Sequence, residues 1–114
     1  MEIKNNDYRV WYDSLTQSVF FEGSLRLNGV KEYEPIATLL KDILDKKPPE
    51  IILDMRELEF LNSSGINVMY QFVISVRRTS EVRLVVRGSK KIPWQGKSLP
   101  NMQKFLKSLQ LQLD

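Results

Sequence analysis

The 114-residue chain contains no cysteine and no histidine, and these two absences exclude most enzyme mechanisms. Without cysteine there is no disulfide bond, no thiol nucleophile and no thiolate metal site. Without histidine the chain lacks the commonest general base and the commonest metal ligand, so Ser-His-Asp catalysis, Cys-His catalysis and ordinary zinc sites are excluded. We therefore expect a protein that is not an enzyme, with no catalytic residues, no bound metal and no cofactor.

Long hydrophobic runs are also missing. The apolar stretches are short and broken by charges, whereas a membrane span needs about 20 consecutive apolar residues. The first residues, Met1 to Asp7, lack the basic-then-apolar order of a signal peptide. With 42% hydrophobic and 27% charged residues, the composition is that of one globular domain covering residues 1–114. We expect this domain to be cytoplasmic and to have no membrane partner.

The excess of positive charge is small, because 17 basic residues face 14 acidic ones and leave a net charge of +3. Basic residues gather late in the chain, notably in the loop 87–97, where Trp94 lies among them. Such a cluster can mark a nucleic-acid surface. We prefer the simpler interpretation of a helix end, a strand end and a solvated loop, since the surplus is small and no nucleic-acid motif appears.

The first half of the chain predicts a hairpin followed by a helix. The alternating segments Tyr8 to Asp13 and Gln17 to Leu25 predict two antiparallel strands. Apolar residues at helical spacing then predict a helix. Because Pro35 fits only in a first turn, this helix is expected to begin at residue 31 or 32, and Pro48-Pro49 must end it.

The second half predicts a parallel βαβ unit, formed by a strand at Glu50 to Met55, a helix at Ser63 to Arg78 and a strand at Val82 to Val86. Arg56 to Asn62 is expected to connect the first strand to the helix. A polar loop at 88–98 and a third helix at about 102–109 follow, and the end at 109–113 is either an edge strand or a fraying helix. The predicted fold class is α/β, a small mixed β-sheet with helices packed against it.

The most informative feature is the start of the helix that begins at Ser63, where two hydroxyls are adjacent. A helix start presents unpaired backbone N–H groups and the positive end of the helix dipole, so it suits either a side-chain cap or a phosphate. Ser63, together with Asn62, is the expected cap. Gly65 lets the backbone approach closely at the helix start.

The run from Asp54 to Ile66 resembles the signature of STAS domains, the family of bacterial anti-sigma factor antagonists. In that family a strand ending in Asp and a hydrophobic residue leads, after a fixed connector, to Asp-Ser-Ser-Gly-Leu or a close variant. The order of elements, including Gly23-Ser24-Leu25 before the first helix, is also similar to the family's. The resemblance implies a STAS-like fold and a non-enzymatic switch.

The same resemblance implies particular partners and a modification site. The unphosphorylated domain would bind an anti-sigma factor or a histidine-kinase-like serine kinase, the kinase would phosphorylate a serine, and a phosphatase would reset the switch. The acceptor serine corresponds to Ser64 here, with Ser63 as the weaker alternative.

Two positions depart from the family pattern. Asn62 replaces the aspartate before the serines, and Arg26 replaces an acidic residue that is common in the turn after the second strand. Arg26 could clamp a phosphate on Ser64 through two hydrogen bonds. The alternatives are that it faces water or pairs with Glu57 or Glu59.

The partner surface is expected to surround the serine pair, with Leu58, Phe60 and Leu61 as exposed apolar contacts. For Leu58 and Leu61 the alternative is that they plug the edge of the sheet. The expected partner-binding residues are Arg26, Leu58, Phe60, Leu61, Asn62, Ser63 and Gly65.

Two other functions remain open. The chain could be a constitutive, unphosphorylated STAS scaffold or a module that senses an anion or nucleotide through the basic loop Lys90 to Lys97. More remotely, it could be a nucleic-acid-binding module that uses the basic loop 87–97.

Overall fold

The structure is a computed structural model that describes residues 1–79 and 81–114, and within these residues it contains six strands and four helices. The strands are β1 (Glu2–Lys4), β2 (Tyr8–Asp13), β3 (Ser18–Leu25), β4 (Glu50–Leu61), β5 (Arg83–Gly88) and β6 (Gln110–Leu113). The helices are α1 (Gly29–Asp45), α2 (Ser63–Arg78), α3 (Pro93–Ser98) and α4 (Met102–Phe105). None of the helices in these described segments has the length and apolar character needed to cross a membrane.

The strands form one mixed sheet in the order β1-β2-β3-β4-β5-β6. The first three strands pair antiparallel, and β3, β4, β5 and β6 pair parallel. The predicted α/β fold with a hairpin and a parallel βαβ unit is therefore confirmed. The end of the chain is an edge strand, so helix fraying at 109–113 is wrong. Strand β1 was not predicted, because a three-residue strand is too short to show alternation.

The hydrophobic core lies between α1, α2 and one face of the sheet. Alternate strand residues point into it, and α1 and α2 pack against each other above them. The apolar side chains that α2 buries are Met69, Phe72, Val73 and Val76, and Ile66 in its first turn is half-buried. The largest side chains that are fully enclosed are Tyr33, Phe21, Leu25, Ile36, Leu40, Ile43, Ile51, Leu53, Met55, Leu58, Met69 and Leu84.

Helix α1 begins earlier than the sequence predicted, at Gly29 instead of residue 31 or 32. Pro35 therefore lies inside the helix, where its missing N–H leaves the carbonyl of Lys31 without a helical partner. Lys31 and Pro35 are both exposed, so a water molecule can donate a hydrogen bond to that carbonyl oxygen. The expectation that Pro35 marks the first turn is wrong for this reason.

Strand β4 is also longer than predicted. The segment from Arg56 to Leu61, expected to be a connector, continues the strand and pairs with the second half of β3. Two register shifts interrupt this pairing, between Phe20 and Glu22 and between Gly23 and Ser24. Such bulges break the two-residue alternation that identifies a strand in a sequence, which explains the error.

The region after β5 contains more helix than its polar composition suggested. The expected loop at 88–98 includes the short helix α3, and the expected third helix is reduced to α4. Strand β5 pairs with β4 only as far as Asp54. Helix α3, which follows β5, contacts the part of β4 beyond that point. Residues beyond that point on β4 need another partner.

Candidate functional site

Asn62, and not a serine, caps helix α2. The backbone N–H of Gly65 donates a hydrogen bond to Asn62 Oδ1 at 3.0 Å. The same oxygen accepts the hydroxyl of Tyr33 at 2.6 Å, while Asn62 Nδ2 donates to the carbonyl oxygen of Leu27 at 2.7 Å. Asn62 thus ties the start of α2 both to helix α1 and to the segment that precedes α1.

The amide of Asn62 fits its surroundings better than the aspartate of STAS domains would. A carboxylate could accept the bonds from Tyr33 and Gly65, but it has no proton to donate to the carbonyl of Leu27. Burial raises the pKa of the Tyr33 hydroxyl above its ordinary value of 10.0, so this group stays protonated as a donor at neutral pH. The departure at Asn62 therefore has a structural reason in this chain.

The two serines that follow are not needed for the cap. Ser63 is exposed and Ser64 is half-buried, and neither hydroxyl makes a hydrogen bond to any residue in 1–79 or 81–114. The expectation that Ser63 shares the capping role is wrong, because Asn62 occupies the cap position. Both hydroxyls remain available for other chemistry.

Gly65 is buried where α2 meets α1. A Cβ atom at this position would lie 2.3 Å from Leu61 Cδ1 and 2.7 Å from the hydroxyl oxygen of Tyr33. Only glycine permits this approach without a shift of its neighbours. Gly65 is therefore buried beneath the site, and its contact with a partner stays a prediction.

The apolar residues of the motif separate into core and surface. Leu58 and Leu61 are buried, so the expectation that they are exposed contacts is wrong, and they close the edge of the core instead. Phe60 has 37% of its surface exposed. The bulges in β4 produce this arrangement, because they turn both leucines toward the helices and leave Phe60 outside.

Arg26 lies over the exposed face of Phe60. Its guanidinium carbon is 4.6 Å from the centroid of the ring, which is within the range of a cation–π contact. In the described residues Arg26 forms no ion pair with Glu57 or Glu59, the partners considered from the sequence. The side chain is exposed, and its charge is not neutralised by a neighbouring carboxylate.

Side chains of α3 donate hydrogen bonds to backbone carbonyls in the second half of β4. Gln95 is fully buried, and its Nε2 donates to the carbonyl oxygens of Met55 at 2.6 Å and Leu58 at 2.9 Å. Its Oε1 accepts the N–H of Ser89 at 2.7 Å. Sequence reasoning missed this residue, because a single glutamine in a polar segment carries no pattern that distinguishes it.

Trp94 is not the free aromatic that a nucleic-acid surface would require. Its ring is half-buried, and its Nε1 donates to the carbonyl oxygen of Leu58 at 3.1 Å. The lysines of this region, Lys90, Lys91 and Lys97, are exposed. The basic loop therefore combines solvated charges with an aromatic residue that has a structural role.

Asp54, which begins the motif, is an ion-paired carboxylate on the face of the sheet away from α1 and α2. Burial by itself raises the pKa of Asp54, but hydrogen bonds from Arg56 at 3.0 and 2.7 Å outweigh it and hold the pKa below its ordinary value. Arg56 also lies 3.5 Å from Asp114 near the end of β6. This arrangement links β4 to the edge strand and leaves Asp54 ionised at neutral pH.

A groove of about 450 Å³ runs between α1 and α2 and starts close to the serine pair. Its walls are largely apolar, and Asn67 and Val68, one turn after Ser64, line it. Val30, in the first turn of α1, lines the same end and has 76% of its surface exposed. The serines thus belong to the same first turn of α2 that leads into the groove.

Comparison with known proteins relates this architecture to two solved structures. A chain of the crystal structure of diguanylate cyclase SiaD in complex with its activator SiaC, from Pseudomonas aeruginosa, superposes with a TM-score of 0.72 and 13% identity, covering 100% of this chain and 99% of that one. SiaC of Pseudomonas aeruginosa superposes with a TM-score of 0.62 and 12% identity, covering 99% and 93%. The chain shares its fold with SiaC. No protein-family model and no curated protein sequence matches it, so the STAS resemblance stays a prediction.

Proposed function

We propose that this protein is a non-enzymatic regulator that binds a protein partner through the surface around the start of α2, and that phosphorylation of Ser64 controls this binding. One observation carries the proposal. The cap of α2 is supplied entirely by Asn62, so the accessible hydroxyl of Ser64 has no task in the fold. A serine placed in this way can be modified without loss of a structural bond.

A phosphate on Ser64 would be tolerated by the folded chain. It adds nearly two negative charges and three strong acceptor oxygens. The first turn of α2 presents free N–H groups and the positive end of the dipole, which favour an anion. Modification therefore changes the surface and leaves the core intact.

The same phosphate would oppose a docked protein. At an interface its charge must be desolvated or must face the partner's own carboxylates, which costs several kcal/mol. Binding of the unmodified form and release of the phosphorylated form follow from these two effects together.

The proposed docking surface consists of Arg26, Phe60, Ser63, Ser64 and the Val30 end of the groove. It replaces the surface expected from the sequence, since Leu58, Leu61 and Gly65 lie beneath it. Phe60 and Val30 supply the exposed apolar area that a specific interface needs near its centre. The hydrogen bonds of Asn62 to Tyr33, Leu27 and Gly65 fix the backbone that carries this surface.

Two classes of partner are supported. The STAS-like motif favours an anti-sigma factor or a histidine-kinase-like serine kinase, with a phosphatase that resets the switch. The shared fold with SiaC, which was solved in complex with a diguanylate cyclase, adds an enzyme of that class as a second candidate partner. Both classes are proteins, and both suit a small regulator confined to the cytoplasm.

The test is phosphosite mapping with matched serine variants. Purified protein is incubated with ATP and lysate from its source, and the gain of phosphate is located by mass spectrometry. We expect the gain to disappear in Ser64→Ala and to persist in Ser63→Ala. Both variants should stay within about 0.5 kcal/mol of the parent in the free energy of unfolding, because neither hydroxyl is bonded.

Binding provides the second half of the test. The partner captured on the parent protein is compared on Ser64→Glu and on Ser63→Glu, and we expect at least a tenfold loss of affinity in the first. If Ser64 is never modified and Ser64→Glu binds as tightly as the parent, the proposed control by phosphate is wrong.

A further inference from the structure

The contact between Arg26 and Phe60 lies at the edge of the proposed docking surface, and an inference about it rests on the function proposed above. Arg26 belongs to the turn after β3 and Phe60 to the end of β4. The guanidinium covers the ring at 4.6 Å, and both side chains are exposed. A contact of this kind at an exposed site is weak and can be exchanged for a better one.

The hydrogen-bonding capacity of Arg26 is unused. A guanidinium has five N–H donors, and stacking on a ring occupies none of them. Within residues 1–79 and 81–114, the arginines that form ion pairs are Arg9, Arg56 and Arg83, and Arg26 is not among them. The donors of Arg26 are therefore open to an anion.

The topology places Arg26 at the same end of the sheet as the start of α2. The carbonyl of Leu25 accepts the backbone N–H of Asn62 at 3.2 Å, and the carbonyl of Leu27 accepts Asn62 Nδ2 at 2.7 Å. Arg26 lies between these two anchored residues, and Ser64 is two residues after Asn62. Both residues therefore lie at the end of the β3–β4 pair where α2 begins, and an arginine has a long, flexible side chain with which to approach a group on Ser64.

We infer that Arg26 is the internal sensor of phosphorylation, which leaves the ring of Phe60 and binds the phosphate on Ser64. The exchange is favourable because bidentate, charge-assisted hydrogen bonds from a guanidinium to a phosphate are stronger than an exposed cation–π contact. In the unmodified protein the partner meets a positive charge stacked on an aromatic ring. In the modified protein the partner meets the ring of Phe60 without the arginine, next to a phosphate that is hydrogen-bonded to Arg26.

This exchange makes one modification change two parts of the surface. The phosphate adds negative charge at Ser64, and the movement of Arg26 removes positive charge from Phe60. A partner that recognises the Arg26–Phe60 pair would therefore lose its contact even where it does not touch Ser64.

The experiment uses the full chain with phosphoserine encoded at position 64, so no kinase is required. The phosphorus resonance is titrated to obtain the second pKa of the phosphate, and the side-chain N–H resonance of Arg26 is followed for the ring-current shift from Phe60. We expect that Arg26→Ala raises this pKa by about half a unit, because an opposite charge is removed. We also expect the ring-current shift to vanish on phosphorylation.

Arg26→Lys and Arg83→Ala are the matched controls. Lysine keeps the charge without the two-pronged geometry, so its phosphate pKa should fall between the parent and the alanine variant. Arg83 pairs with Glu50 at the other end of β4, and its loss should leave the phosphate pKa unchanged. A phosphate pKa that is identical in the parent and Arg26→Ala, or an Arg26 resonance that remains ring-shifted, would overturn the inference. The proposed function fails separately, by an absence of Ser64 modification and of any change in partner binding.

Discussion

Helices α1 and α2 both begin directly after an asparagine, yet the two helix starts are built differently. Asn28 makes no capping bond with its side chain and is exposed. Asn62 accepts bonds from α2 and from Tyr33 and donates one to Leu27. The start of α2 is therefore anchored to other elements, whereas the side-chain bond at the start of α1 is local, from the backbone N–H of Asn28 to Glu32 Oε1 at 3.1 Å.

The glycines at the two starts show the same contrast. Gly29 has a φ of 70°, and nothing lies within 4 Å of a Cβ built on it. Gly65 is enclosed by Leu61 and Tyr33. The anchored helix start is the one that carries the serines, and a rigid helix start presents a modified side chain in a defined position.

The largest effect on the free energy of unfolding is expected from the loss of the Asn62 side chain. Asn62→Ala should lower the free energy of unfolding by about 2 to 4 kcal/mol, because it removes the cap, leaves the carbonyl of Leu27 without its partner and leaves the Tyr33 hydroxyl only its longer bond, 3.2 Å, to the carbonyl of Leu25. Asn28→Ala should change it by less than about 0.5 kcal/mol. Urea unfolding of the two variants measures the difference. Equal effects would show that the two helix starts are equivalent.

Asn62→Asp sharpens the same comparison. The variant restores the residue of STAS domains and keeps both acceptor bonds, but it places a carboxylate against the carbonyl of Leu27. It should therefore remain less stable than the parent in the same urea measurement.

A smaller effect is expected at the glycines. Gly65→Ala should cost about 1 to 3 kcal/mol through overpacking against two buried side chains. Gly29→Ala should cost about 1 kcal/mol, since the only penalty is the left-handed backbone. Thermal or chemical unfolding gives both values.

A double variant separates the two causes. Tyr33→Phe removes the oxygen that lies 2.7 Å from the added methyl group, so it should relieve part of the cost of Gly65→Ala. It should relieve none of the cost of Gly29→Ala. Additive costs in both combinations would contradict the steric explanation.

Tyr33→Phe alone should lower the free energy of unfolding by about 1 kcal/mol, because the hydroxyl loses its hydrogen bonds to Asn62 and to the carbonyl of Leu25. Its pH dependence is more informative. Because the pKa of Tyr33 is raised in the folded state, its contribution to stability is present below pH 10.0 and is lost as the pH rises through the folded-state pKa. The free energy of unfolding should therefore fall less steeply above pH 10 in Tyr33→Phe than in the parent.

The helices and strands could be predicted from the sequence wherever apolar residues keep one helical or strand period. The apolar spacing of α2 and its polar start predicted the bounds Ser63 to Arg78, which agree with the structure. The hairpin and the parallel strands were also predicted correctly. The second half of β4 was not, because two bulges replace the alternation that would have identified it.

The candidate site divides in the same way. The hydrogen bond from the backbone N–H of Gly65 to Asn62 Oδ1 joins residues three positions apart. The helix start and its spare hydroxyls can therefore be recognised from neighbouring residues in the sequence. Gln95 and Trp94 act on carbonyls about forty residues earlier, and no local pattern indicates such contacts.

The sequence by itself was sufficient to predict the start of α2 and its two spare hydroxyls, because these features depend on contacts within one helical turn. Folding assigned the roles of individual side chains. It buried Leu58 and Leu61, brought Tyr33 and Leu27 to Asn62 across 29 and 35 residues, and laid Arg26 over Phe60. These contacts depend on the register of β3 against β4, and that register is set by the packing of the whole sheet.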